Sequence, residues 1–210
     1  MDIHVRYKHI FGALTNTERR HPLGFLCNEL YFIAIDAEWY EFAGNNIVLS
    51  YQMATASRSK SINIIKYVSS GQRLTFSELI DLGIRSVNDG NIPETHRNIR
   101  VGVVVVSHNF AAEWSVLADR DDPSITKRLS LVRKSPITDG HAIKMVLNGR
   151  FPIRVLVYDT MLLAPATHRS LAKLSQLLGN ENFQKIPIKQ SEIEHMDRLL
   201  REDPARFEAY

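Results

Sequence analysis

The sequence predicts an α/β domain, with an antiparallel meander and parallel strands joined in one mixed sheet that helices flank. Three observations lead there. Leu30–Ile35 is an apolar and aromatic run that ends in Asp36-Ala37-Glu38. Val101, Val103, Val104, Val105 and Val106 make a second such run, of the type found in strands buried on both faces. The last third instead carries apolar residues at helical spacing, with clear start and stop signals.

In chain order, residues 1–28 read as an N-terminal extension packing on a domain formed by 29–210. Arg19-Arg20-His21-Pro22 marks a turn within it. Strands are expected at 30–37, 47–54 and 61–68, linked through Gly44-Asn45-Asn46 and Ser57–Lys60, and such short links suit a meander. Thr75 and Glu78 have capping-box spacing for a helix over 76–87. The valine strand, 100–107, should lie parallel to the first and lead into a helix at 109–118. Beyond Asp121-Asp122-Pro123, the segments Leu129–Val132, Ala142–Leu147 and Ile153–Tyr158 favour strands, with Asn148-Gly149-Arg150 turning between the last two. Ser170 can cap a helix whose Leu171, Leu174, Leu177 and Leu178 share a face, and Gly179 would end it. Ser191 and Glu194 have capping-box spacing before Met196, Leu199 and Leu200. Asp203-Pro204 is an N-cap and N1 pair for a last helix holding Phe207 and Tyr210.

Composition bounds the function classes. The 210 residues fit one large domain, and 44% hydrophobic with 23% charged residues excludes global disorder. A net charge of +3 suits a polyanionic partner without demanding one. The single Cys27 excludes an internal disulfide and points to a reducing, cytoplasmic setting. No segment has the length of a membrane span and the start lacks a signal-peptide stretch, so no membrane partner is expected. The histidines show no zinc or nucleophile–base spacing.

The chemistry concentrates at the ends of the two most strand-like runs. Side chains alternate along a strand, so Asp36 and Glu38 point to one side, about 7 Å apart. Two like charges finishing an apolar strand repel, and a cation between them removes that cost. Hard oxygen donors suit Mg2+ or Mn2+. If the strand stops at Ile35, both are solvated loop residues instead. The second candidate is Ser107-His108-Asn109-Phe110-Ala111-Ala112-Glu113-Trp114, at the exit of the valine strand. There Glu113 would sit one helical turn in, near the carboxyl end of the sheet where ligands collect. Were the two strands neighbours, Asp36, Glu38 and Glu113 would form a cluster. His108 reads as a structural histidine, and Asp159 as a capping residue outside the cluster.

Asp36-Ala37-Glu38 after its apolar strand resembles the first motif of the DEDD 3′–5′ exonucleases, whose fold is ribonuclease H-like. Val106–Leu117 resembles the second motif of the branch related to organellar and viral type B DNA polymerases. Val157–Pro165, then Ser170–Leu174, resembles that branch's next strand and helix. Asp203–Tyr210 is similar to the approach to its third motif, Tyr-x-x-x-Asp. The similarity runs in order over roughly 29–210.

This resemblance implies a metal-dependent exonuclease acting at the 3′ end of single-stranded DNA or a frayed duplex, RNA not excluded, with two Mg2+ or Mn2+ ions about 4 Å apart. Asp36 would bridge both ions, Glu38 would hold the water-side ion, Glu113 would support the other, and Tyr210 would orient the attacking water. Lys173, Arg169 and Lys185 are candidates for phosphate contact. Two departures stand out. The second motif usually offers aspartate where this chain has Glu113, and the fourth carboxylate would lie four residues after Tyr210. The expectation is a domain truncated before that aspartate, in which a polymerase domain would follow. The alternative is a catalytically incomplete module that binds nucleic acid or a protein.

Overall fold

The structure, a computed structural model, describes residues 29–92, 101–123, 143–147, 151–177 and 188–210. The N-terminal extension, the strand expected at 129–132, the turn at 148–150, the stop at Gly179 and Lys185 lie outside the described residues. Six strands form one sheet: β1 Glu29–Phe42, β2 Asn45–Ala56, β3 Ser61–Tyr67, β4 Val101–Ser107, β5 Ile143–Leu147 and β6 Phe151–Asp159. Their order is β3-β2-β1-β4-β6-β5. The first three make the antiparallel meander, β4 lies parallel to β1, β6 lies parallel to β4, and β5 closes the edge antiparallel. This is the expected α/β mixed sheet, an antiparallel meander continued by parallel strands.

The main core lies on one face. Tyr31, Ile33, Ile35 and Ala37 of β1 alternate inward with Tyr51 and Met53 of β2 and with Val101, Val103 and Val105 of β4. Helix α1, Phe76–Val87, covers them through Phe76, Leu79, Ile80, Ile84 and Val87. Its N-terminus is the expected capping box: Thr75 Oγ1 accepts from the Glu78 N–H at 3.1 Å and the Glu78 carboxylate accepts from the Thr75 N–H at 2.7 Å. Such a cap contributes about 1 kcal/mol. Gly83 allows the close approach, since a Cβ there would lie 2.7 Å from Ile33 Cδ1. Replacement by alanine would force the Ile33 side chain to shift.

The other face is covered near β1–β3 by the C-terminal helices. After α2 (Phe110–Ser115), α3 (Thr160–Leu163), a 3-10 turn (Ala166–His168) and α4 (Leu171–Leu177) come α5 (Gln190–Ile193), α6 (Met196–Glu202) and α7 (Pro204–Ala209). Met196, Leu199 and Phe207 form a second, small cluster with Leu49, Ile188, Leu200 and Tyr210 around it. Phe207 stacks on Tyr67 at 6.4 Å, and the Tyr67 hydroxyl donates to Glu208 Oε1 at 2.6 Å, which ties α7 to the edge strand β3. Arg206 holds Glu192 through two guanidinium hydrogen bonds, 2.6 and 3.1 Å, joining α7 to α5.

Three local expectations shift. The first hairpin turns on Ala43-Gly44, both at positive φ (50° and 76°), instead of Gly44-Asn45-Asn46, because a two-residue loop matches the strand twist and lets Asn45 and Asn46 pair. The helix after β4 ends at Ser115, short of 118, where Val116 and Leu117 turn into the core. Glu192 caps with the Lys189 N–H at 2.8 Å, displacing the expected Ser191/Glu194 pair by two residues. Asp203 does cap α7, accepting from the Arg206 N–H at 3.1 Å, with Pro204 at the first helical position. Among the described residues, no helix is long and apolar enough to cross a membrane.

Candidate functional site

Strand lengths create the site. β4 pairs with β1 only as far as Val106 opposite Ala34, whereas β1 continues to Phe42. From Ile35 onward β1 therefore has an edge without a β4 partner, and the chain leaving β4 folds back over it as α2. A single residue holds that turn. Asp159, ending the neighbouring β6, accepts from the N–H groups of Asn109 (3.0 Å) and Phe110 (3.0 Å) and also from Met161 N–H (2.9 Å). Asn109 sits in the left-handed region at φ 69° and makes no side-chain cap of its own, so Asp159 caps α2 from across the sheet and α3 at the same time. His108 completes the corner: its Nδ1 pairs with Thr160 Oγ1 at 3.0 Å, and that hydroxyl also lies 3.2 Å from the Ser107 carbonyl. Both residues are structural, as their sequence context suggests.

Docked this way, Phe110 and Trp114 pack edge-on against Phe76 in the core. Between them Glu113 turns toward β1. It is 5% exposed. Its carboxyl hydrogen-bonds to Asp36, feels the charge of Glu38, and accepts from the Ala37 N–H. Burial, followed by the charge of Asp36, pushes its pKa up to about 9, against the weaker pull of the Ala37 N–H. At neutral pH Glu113 is thus the protonated partner, donating to the Asp36 carboxylate, which also accepts from the Ala37 N–H at 3.2 Å. Glu113 Oε2 is buried with no hydrogen-bond partner.

Asp36 and Glu38 of β1 thus meet Glu113 of α2, from a second segment. Asp36 is half-buried and Glu38 buried. Asp36 and Glu113 touch; Glu38 adds its charge at longer range. Among the described residues, no three histidine, cysteine or acidic side chains are arranged as a ready metal-binding group. The donor set nevertheless fits a hard divalent cation: an all-oxygen cluster, a proton held only by burial and like charge, and an orphaned carboxylate oxygen. Tyr210 is half-buried in the small cluster under α6 and α7, together with Leu49 of β2. Arg169 and Lys173 are exposed.

Two further polar residues escaped the sequence reading. Register sets Gln52 opposite Asp36 and Ser50 opposite Glu38. Ser50 Oγ and Gln52 Nε2 are both buried without a partner. The available signal was their period-two spacing in the otherwise apolar strand 47–54, matching that of the two acids across the hairpin.

No family model matches the sequence, and no curated protein does. Among solved structures the chain is similar to a chain of the Drosophila P element transposase strand transfer complex, at 12% identity and a TM-score of 0.28. That alignment covers 79% of this chain but only 40% of the transposase chain, and at such values it carries no inference about function.

Proposed function

We propose that this domain is a metal-dependent nuclease of the DEDD type, removing nucleotides from the 3′ end of a single DNA strand. The observation that carries the reading is the Glu113 carboxyl, buried against Asp36 beside Glu38 with one oxygen unpartnered. A protein gains nothing in stability from gathering these acids, since each raises the cost of ionising the others. The order of motifs along the chain, and a ribonuclease H-like sheet to carry them, add to it.

Asp36, Glu38 and Glu113 would hold Mg2+ or Mn2+. The ions, when bound, supply an activated water and charge relief on the leaving 3′ oxygen. The residues themselves do the rest. Glu113 would have to give up its proton to serve as a ligand, so that affinity would rise with pH. Asp36 would serve as a ligand, with the Ala37 N–H steadying one of its oxygens. The Asp159 cap keeps α2, and with it Glu113, at the fixed distance that a multi-carboxylate site needs. Tyr210 would orient the attacking water through its hydroxyl.

A second reading has one observation in its favour: the acids do not form a ready three-ligand group. On that reading the domain holds a nucleic-acid 3′ end without cutting it. Degradation of a 5′-labelled single strand in Mn2+, compared with excess chelator, separates the two. A ladder that shortens from the 3′ end only with metal supports the nuclease. Binding of the strand with no shortening at any Mn2+ concentration supports the module.

A further inference from the structure

We propose that Gln52 and Ser50 are positioning residues of the acidic site, donating hydrogen bonds to Asp36 and Glu38 when those carboxylates hold a divalent cation. This rests on the metal-bound reading above and adds to it the β2 side of the site, to which the resemblance assigned nothing.

The β1–β2 register puts Asp36 directly across from Gln52, and Glu38 across from Ser50. Directly opposed residues of an antiparallel pair have Cβ atoms about 5 Å apart on the same face. Two donors thus face two carboxylates in matching order. Both donors are buried and orphaned: Ser50 is 0% exposed, and neither its Oγ nor Gln52 Nε2 has a partner. Buried polar side chains are nearly always hydrogen-bonded, and two adjacent exceptions beside a charged site need a reason.

The reason lies in where Asp36 points. In the metal-free arrangement its carboxylate is engaged on the α2 side, by the Glu113 carboxyl and by the Ala37 N–H at 3.2 Å. That leaves the β2 side without an acceptor. A cation bound between Asp36 and Glu113 would take the place of their direct contact. Asp36 would then be able to accept from the Gln52 carboxamide across the β1–β2 register. A carboxamide can present either end, and opposite carboxylates the NH2 end is favoured. Ser50 lies opposite Glu38 in the same register. Such outer hydrogen bonds orient ligands and typically alter metal affinity 10–100-fold.

The test is calorimetric titration of Mn2+ at pH 7.5 into the wild-type chain, Gln52→Met and Ser50→Ala, alongside thermal unfolding of each without metal. Met keeps the length of Gln without its donors, and Gln52→Leu serves as a second variant if Met disturbs the packing. The expected result is Mn2+ affinity about 10-fold weaker in Gln52→Met, with a metal-free melting temperature equal to or above wild type. A merely structural role predicts the reverse pattern, a lower melting temperature at unchanged affinity, and would overturn the proposal. So would a loss of affinity that only tracks a loss of fold. If wild type itself shows no Mn2+ binding beyond that of Asp36→Ala, the metal-bound reading falls and this inference with it. Wild type and Gln52→Met binding alike overturns the inference alone.

Discussion

Asp159, closing β6, and Glu113, one turn into α2, are equally buried at 5% exposure and stand at the same carboxyl end of the sheet. Their surroundings are opposite. Asp159 takes three backbone N–H groups at 2.9–3.0 Å, from the starts of two helices. Glu113 faces another carboxylate, feels a third, and keeps one oxygen without a partner. Burial of a charge therefore does not mark a functional site by itself. What separates the two is whether the protein supplies the hydrogen bonds. At Asp159 it does, and the residue serves the fold. At Glu113 it does so for one oxygen only, and an external cation is the partner we propose for the other.

The contrast is broken most directly by removing an acid from each kind of surrounding. Asp36→Ala should lower nuclease activity by 10³-fold or more, about 4 kcal/mol of transition-state stabilisation, while the far-ultraviolet circular dichroism stays native. Cleavage of the labelled strand that survives in this variant would end the proposed mechanism. Asp159→Ala should instead cost about 3 kcal/mol of stability in urea unfolding, because it strips the cap from two helices and leaves buried N–H groups unpaired. A cost under 1 kcal/mol would show that α2 is held by its aromatic packing alone.

Metal sharpens the same comparison. Mn2+ at 100 times its dissociation constant should stabilise the wild-type domain by about 2.7 kcal/mol and leave Asp36→Ala unchanged, as read from the shift in thermal midpoint. Equal shifts in both proteins would place the cation elsewhere.

The smallest effect concerns pH. The folded pKa of Glu113 lies at about 9, above its ordinary 4.5. Its favourable contribution is therefore complete below pH 4.5 and is lost progressively as pH rises through 9, since the unfolded chain ionises first. Glu113→Gln keeps a donor toward Asp36 but cannot ionise. It should match the metal-free wild type near pH 4 and exceed its stability at pH 8, where the unfolded wild type has ionised Glu113 and the folded one has not. A stability difference that does not change with pH would mean that Glu113 titrates normally.

Much of the domain was legible in its residues. The apolar run before Asp36 and the valine run before Ser107 became adjacent parallel strands, and the spacing of Thr75 and Glu78 became the cap of α1. These signals are local: burial on both faces selects apolar residues, and caps use residues three apart. The hairpin turn and the cap of α5 were displaced by one or two positions, as befits signals shared by neighbouring polar residues. Asp36 and Glu38 on one side of β1 followed from strand periodicity alone.

What residue order by itself determined was therefore the set of elements, the sense in which the first and fourth strands pair, and the acids that follow their apolar runs. Only the tertiary structure decided how those acids meet. The overshoot of β1 beyond β4 opens an edge, Asp159 fixes the helix that covers it, and the register of β2 brings Gln52 and Ser50 opposite Asp36 and Glu38. Each depends on residues far apart in the chain: 50 positions separate Asp159 from Asn109. Local periodicity shows which side of its own strand a residue faces, but the neighbour it meets there depends on strand length and register, which packing of the whole sheet selects.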